Sequence, residues 1–212
     1  MAPEDSGRPV ELPVRSLEIL ERDGRTVRAL RVFCPSRYRS IGSSTCAVCP
    51  FVRTLSDTAV TCAPPGADAD AEPAADKPLF LGPDALALRI PVGAVCAARA
   101  VAVRADVRMA HARSVLNDEP FVVVLSRDDR VRGVLSTAEL SDELPPLGEM
   151  ADRTPTVPEY APLIEAIELM LHSHVRIVPV VGEDRRFLGL VADLDVLRWA
   201  ARYHMSPHAK VR

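Results

Sequence analysis

The sequence predicts an α+β protein in which a small β-rich unit with four cysteines precedes a larger unit made of a duplicated β-α-β-β-α repeat. Three features of the 212 residues lead to this prediction. Residues 63–78 contain only Ala, Pro, Gly, Asp, Glu and Lys, the segments after them repeat a common pattern, and four of the five cysteines precede them. Hydrophobic residues make up 48% of the chain, so we expect a packed core.

The amino-terminal unit, residues 1–62, is predicted to be β-rich. Two apolar segments, Val14 to Leu20 and Thr26 to Phe33, flank a charged turn whose Asp23-Gly24 pair favours a hairpin. A unit of about 60 residues has a marginal core, and such units commonly contain disulfides or a metal.

Residues 63–78 cannot bury enough apolar surface to offset the entropy of ordering them. We interpret them as a flexible linker. Residues 79–145 and 146–212 are then predicted to be the first and second repeats.

The duplication is visible as an alignment of the chain with itself. Val122 to Leu140 aligns without a gap to Val178 to Val196, an offset of 56 residues, and residues 101–106 align to 155–160 at an offset of 54. Two copies indicate a duplicated supersecondary unit rather than a long solenoid.

Each copy contains the same elements in the same order. In the second copy, one helical stripe of apolar residues over 162–172 predicts a helix, and two strands and a second helix follow it. The elements predicted for the second copy are a helix over 162–172, strands over 177–181 and 187–191, and a helix over 194–203. Those predicted for the first copy are a helix over 107–116, strands over 121–125 and 131–135, and a helix over 137–144. A short extended segment ending at Val103 or Val157 precedes each set.

The second copy resembles a CBS domain from end to end. The resemblance rests on Met150, the Thr156-Val157 pair, the run from Arg176 to Val181 and the close from Gly189 to Asp195. The first copy is more divergent but retains Gly133-Val-Leu-Ser136-x-x-Glu139, and the two together cover about 130 of the 212 residues.

The resemblance implies a tandem CBS pair, packed sheet against sheet, with two clefts that in many members hold adenine nucleotides or related molecules such as S-adenosylmethionine. It also implies a homodimer. The ligand-binding residues that it implies are Ser136, Glu139, Asp195, Thr156 and Val178. A hydroxyl near a helix start suits phosphate, a carboxylate accepts hydrogen bonds from ribose, and an apolar strand suits a base.

Two positions depart from the family pattern. Ala192 stands where a hydroxyl is expected, and Glu139 is one methylene longer than the usual aspartate. A helix cap is the alternative role for Asp195 and for Ser136.

Cys34, Cys46, Cys49 and Cys62 follow the spacing C-x11-C-x2-C-x12-C. Two ligands from a C-x2-C turn and two from flanking strands form the tetrahedral thiolate set that structural zinc prefers. An iron–sulfur cluster, redox sensing and the absence of any metal remain open alternatives. Cys96, in an apolar segment before the first repeat, is predicted to be a buried small hydrophobe.

Several classes of protein are disfavoured. No apolar run approaches the ~20 residues that span a bilayer, and Met1 to Val10 lacks the apolar core of a secretory signal, so a cytoplasmic location is expected. A net charge of -3 gives no general attraction to nucleic acid. The chain contains no phosphate-binding glycine loop, H-E-x-x-H or G-x-S-x-G motif, so nothing predicts an enzyme.

The sequence therefore predicts a non-catalytic regulatory protein that senses an adenine-containing ligand and signals by rearrangement of its repeats or subunits. One alternative is a ligand-free scaffold that dimerises and binds a protein partner. A second is a redox or metal sensor that uses the four cysteines.

Overall fold

The computed structural model describes residues 9–63, 88–107, 119–137 and 154–205, with side chains up to residue 201. Its strands are β1 (Val10–Leu20), β2 (Thr26–Cys34), β3 (Arg39–Gly42), β4 (Val52–Leu55), β5 (Ala59–Cys62), β6 (Arg99–Arg104), β7 (Phe121–Leu125), β8 (Val131–Ser136), β9 (Val157–Pro158), β10 (Ile177–Val181) and β11 (Phe187–Ala192). Its helices are α1 (Ser43–Ala47), α2 (Val92–Val95), α3 (Leu163–Ser173) and α4 (Asp193–Met205). No helix among the described residues has both the length and the apolar character needed to cross a membrane.

The strand β1 joins the amino-terminal unit to the first repeat. Its first four residues pair with β5, and from Val14 onward it pairs with β2 in the predicted hairpin. On its other side, Ser16 to Leu20 pair in parallel with β6, so one eight-stranded sheet contains strands of both predicted units. The sequence suggested a tethered module, whereas the structure makes the two units continuous through backbone hydrogen bonds.

The two repeats share their strand register. Val103 pairs with Val124 in the first copy, and Val157 pairs with Val180 in the second, as the 54- and 56-residue offsets require. Each hairpin also has a register shift at the same place, after Val124 in one copy and after Val180 in the other. The duplication predicted from the sequence is thus present in the backbone.

Equivalent residues of the two repeats meet where the second sheet, β11-β10-β9, approaches the first. Arg130 and Arg186, which the 56-residue offset makes equivalent, form an isolated antiparallel bridge with each other. Phe187 of the second repeat is buried in a cluster with Leu17 and Leu125 of the large sheet. This self-pairing places a local pseudo-two-fold axis between the repeats.

The segment from Leu88 to Ala97 precedes β6 of the first repeat in sequence but packs on the second repeat. Val92 and Val95 of α2 belong to the same buried cluster as Val178 and Val180. Backbone hydrogen bonds tie the segment to α3 and β11, including Leu163 N–H to Ile90 O at 2.8 Å and Ala97 N–H to Leu190 O at 2.9 Å. Cys96 is buried in this cluster, as expected of a small hydrophobe.

Some predicted segments fall outside the described residues. These are residues 64–78 of the linker, 108–116 and 138–144 of the two helices of the first repeat, and Met150.

Candidate functional site: a cleft between the repeats and a four-cysteine cavity

A cleft of about 430 Å³ lies between the two repeats. The first repeat contributes the starts of β6 and β7, and the second contributes the start of β10 and the junction of β11 with α4. Its lining residues are Ala97, Ala98, Arg99, Glu119, Pro120, Phe121, Arg176, Ile177, Leu190, Ala192, Asp193, Leu194, Asp195 and Arg198. We refer to it as the inter-repeat cleft.

Asp195 is the predicted ligand residue that the structure places in this cleft. Its side chain is only 15% exposed, and its Oδ2 accepts a hydrogen bond of 3.0 Å from the Ala192 backbone N–H. Burial raises the pKa of Asp195 above the ordinary aspartate value, although the Ala192 N–H and Arg198 act in the opposite direction. The carboxylate therefore caps the start of α4 and also faces the cleft.

Ion pairs rim the cleft. Arg99 donates to Glu119 at 2.7 Å and to Glu18 at 2.9 Å, which lowers the pKa of Glu18. Arg176 donates to Asp193 at 2.8 Å, and this hydrogen bond is the main cause of the lowered pKa of Asp193.

The Arg176 and Arg198 side chains are both well exposed beside these acids. Both guanidinium groups are therefore accessible to a phosphate group from solvent.

The other predicted ligand residues lie elsewhere. Ser136 ends β8, pairs with Phe121 and is half-buried, whereas Thr156 directly precedes β9 and is exposed. Val178 is completely buried in the cluster that contains Val92, so its side chain belongs to the core rather than to the inter-repeat cleft. Glu139 lies outside the described residues.

The sequence reasoning did not identify Phe121, Ile177 or the arginines of the cleft. Phe121 and Ile177 are the first residues of equivalent strands, 56 positions apart, and both line the cleft. The self-alignment contained this signal, because strand starts that are equivalent under a pseudo-two-fold axis face each other across it. No comparable pattern marked Arg99, Arg176 and Arg198.

The four amino-terminal cysteines surround one cavity of about 230 Å³ under the hairpin sheet. Cys34 ends β2, Cys46 lies in α1, Cys49 follows it and Cys62 ends β5. All four are free thiols.

Burial is the main cause of the raised pKa of the Cys46 and Cys62 thiols, and the neighbouring Cys34 adds to it. In the part of the chain that is described, no three His, Cys, Asp or Glu side chains are positioned to hold a metal ion. The zinc site predicted from the spacing is therefore not shown, although its four residues do converge.

One part of the chain matches a known protein family. Residues 147–202 match the family described as "CBS domain", which confirms the prediction for most of the second repeat. CBS domains are typically regulatory and non-catalytic modules. No curated protein matches the chain.

Several solved structures are similar to about half of the chain. The cytosolic domain of the Mg2+ channel MgtE in complex with ATP has 26% identity and a TM-score of 0.43, covering 47% of this chain and 44% of that one. Staphylococcus aureus OpuCA has 20% identity and a TM-score of 0.42, covering 47% and 88%. The CBS domain pair of protein MJ0100 in complex with 5′-methylthioadenosine and S-adenosyl-L-methionine has 18% identity and a TM-score of 0.45, covering 51% and 97%.

Proposed function

We propose that this chain is a non-catalytic regulatory protein whose tandem CBS pair binds an adenine-containing ligand in the inter-repeat cleft. The observation that carries the proposal is the position of Asp195, a mostly buried carboxylate that faces a cleft walled by Phe121 and Ile177. An apolar wall beside an oriented carboxylate is the combination that a nucleoside requires, because the base is flat and the ribose donates hydrogen bonds.

Each part of the ligand has a group to meet. The base would lie against Phe121, Ile177 and Leu190, and the ribose hydroxyls would donate to Asp195. A phosphate or sulfonium group would extend toward Arg176 and Arg198 or toward their acidic partners. Because Ala192 lacks a hydroxyl and its N–H is occupied by Asp195, the phosphate contact depends on the arginines.

Binding at this position would couple the repeats. The first repeat supplies Phe121 and the second supplies Asp195, so a ligand that contacts both favours one relative orientation of the pair. The change would reach the amino-terminal unit through the hydrogen bonds of β6 to β1 rather than through residues 63–78.

The test is thermal unfolding with AMP, ADP, ATP and S-adenosylmethionine. A ligand at 100 times its dissociation constant adds about 2.7 kcal/mol to the free energy of unfolding, which raises the melting temperature of a chain of this size by roughly 5–11 °C. Asp195→Ala is expected to abolish that shift. Glu168→Ala, which removes an exposed carboxylate from α3 outside the cleft, is the matched control and should preserve it.

No shift with any of the four compounds would remove the sensor proposal. The ligand-free scaffold, which dimerises and binds a protein partner, would then be the better account.

We also propose that Cys34, Cys46, Cys49 and Cys62 bind zinc. What supports this is the convergence of four free thiols on one cavity, a donor set that suits tetrahedral zinc. The thiols would have to turn toward a common point and lose their protons, and zinc would favour the thiolate form that burial disfavours.

Metal content and absorbance of the purified protein test this second proposal. We expect one zinc per chain, lost in the Cys46→Ser/Cys49→Ser variant and kept in Cys96→Ala, which removes a buried thiol outside the cavity. Visible absorbance with bound iron would instead indicate an iron–sulfur cluster. A metal-free, colourless protein would exclude both and leave redox chemistry of the thiols as the alternative.

A further inference from the structure

A second cleft lies between the amino-terminal sheet and the second repeat. Its volume is about 460 Å³, within the range of small-molecule sites. One wall comes from β2, β3 and the turn between them, and the other from residues 159–160 and from the turn of the second repeat. We call it the arginine cleft, because Arg31, Arg37, Arg39 and Arg186 line it.

Positive charge in this cleft is not compensated on the amino-terminal side. In the described ranges, Arg31, Arg37 and Arg39 have no carboxylate within ion-pair distance. The opposite wall contributes three acids, but two are already engaged. Glu159 accepts a hydrogen bond of 2.6 Å from the Ser40 N–H, and Asp184 pairs with Arg186 at 3.4 Å. Glu183 is the third acid.

A buried arginine lies directly behind this wall. Arg15 of β1 is the register partner of Arg31, so their side chains are neighbours on one face of the sheet. Arg15 is only 4% exposed.

Within the described part of the chain, the Nε and Nη2 atoms of Arg15 have no hydrogen-bond partner, and neither does the buried Nε of Arg31. Burying a cation without a partner is costly, and like charges opposite each other on paired strands are destabilising. An anion beside Arg31 would offset the repulsion between the two guanidinium groups and would give the Arg31 Nε an acceptor.

The strand next to Arg31 on its other side leaves room for that anion. Arg31 pairs on its other side with Gly42, which has no side chain. A Cβ at Gly42 would meet only the Ser44 Oγ at 3.5 Å, an ordinary contact, so the space beside Arg31 is open. The backbone at Gly42 has a φ of -65°, which any residue can adopt.

We propose that the arginine cleft binds a small anion that carries a phosphate group. The guanidinium group presents donors in a fork that matches phosphate oxygens, and at least two such groups reach the cleft from one wall. Ser40 supplies a further buried hydroxyl that has no hydrogen-bond partner among the residues that the structure describes. The bound anion links β3 to the second repeat, beside the existing Ser40–Glu159 hydrogen bond, and occupies a site separate from the inter-repeat cleft.

The experiment titrates inorganic pyrophosphate into the full chain by calorimetry at constant ionic strength. We expect saturable binding at one site, weakened about tenfold or more in Arg39→Gln, because the variant loses a charge-assisted hydrogen bond to the phosphate group. Arg37→Gln should weaken binding similarly. Arg53→Gln removes the same charge from an exposed position of β4 outside the cleft and should leave the affinity unchanged.

Gly42→Glu is expected to change anion binding and thermal stability in opposite directions. Gly42→Glu places a carboxylate beside Arg31, so it should abolish pyrophosphate binding and raise the melting temperature in anion-free buffer. Parallel titrations with inorganic phosphate and with AMP distinguish free phosphate from a phosphate ester as the preferred source.

Three results would overturn the proposal. The first is the absence of saturable binding of all three probes. The second is a loss of pyrophosphate affinity in Arg53→Gln equal to that in Arg39→Gln. The third is a loss of pyrophosphate binding in Asp195→Ala, which would assign the binding to the inter-repeat cleft.

Discussion

Two ionisable side chains, Asp195 and Arg15, are largely buried at a cost to the stability of the fold. Asp195 is held in a mostly buried turn by the Ala192 N–H, and its raised pKa has burial as its largest cause. Two side-chain nitrogens of Arg15 have no hydrogen-bond acceptor among the described residues. Both groups reduce the stability of the empty protein, which is common at binding sites.

Asp195→Asn should change the pH dependence of stability. The folded protein binds the Asp195 proton more tightly than the unfolded chain does, so this group's contribution is present at low pH. The contribution is lost as pH rises from the ordinary aspartate value through the raised folded value. The asparagine amide oxygen can still accept from Ala192, so the variant should be more stable than the parent near neutral pH.

Urea unfolding at several pH values between about 4 and 7 measures this difference. The variant's advantage should grow with pH and then level off, whereas Glu168→Gln, at an exposed position, should show no such trend. An advantage that is constant with pH would contradict the assignment.

At the scale of elements, β1 and the segment from Leu88 to Ala97 determine how the parts of the fold are joined. The strand β1 is paired on both sides, with β2 and with β6, while Leu88 to Ala97 bonds to α3 and β11. Each therefore connects parts of the chain that are far apart in sequence.

Local patterns predicted the elements but not these connections. The strands of both repeats follow from their apolar runs and from the 56-residue offset, and the turn at Asp23-Gly24 fixes the first hairpin. The pairing of β1 with β6 joins residues about 80 positions apart, and nothing local marks it. Arg15 likewise reads as an ordinary polar strand position, because its burial comes from tertiary packing. The inter-repeat cleft was predicted only through Asp195.

Gly93→Ala tests the packing of α2. A Cβ at this position would lie 2.6 Å from the Phe33 Cδ2 and 2.9 Å from the Glu159 backbone O, and the latter cannot move away cheaply. We expect a loss of about 1–3 kcal/mol in the free energy of unfolding by urea.

The matched control is Gly42→Ala, where a Cβ has room and no loss is expected. Combining Gly93→Ala with Phe33→Leu should recover part of the loss only if the ring contact is a cause. Equal stabilities of Gly93→Ala and the parent would mean that α2 does not approach β2 as described.

At the scale of the whole molecule, apolar surface remains exposed on the second repeat. Leu194 and Leu197 of α4 and Leu171 of α3 are among the exposed large hydrophobic residues. Leucines 194 and 197 are three positions apart and so share one face of the helix. We propose that this face contributes to the homodimer that the CBS resemblance implies.

Sedimentation of the purified protein tests that proposal. We expect a dimer that Leu197→Glu converts to a monomer, since a buried unpaired carboxylate opposes association. Leu55→Glu, an equivalent change at an exposed leucine of β4, should leave the dimer intact. A monomeric parent protein would rule out signalling through dimer rearrangement and leave rearrangement within one chain.

The placement of Leu88 to Ala97 also dictates an order of events during synthesis. Val92 and Val95 leave the ribosome more than 80 residues before Val178 and Val180, the apolar partners that cover them. At roughly 5–20 residues per second, this interval lasts on the order of seconds. During this interval the apolar side chains of the nascent first repeat remain uncovered. In a chain released early they would stay exposed, which favours aggregation or chaperone binding.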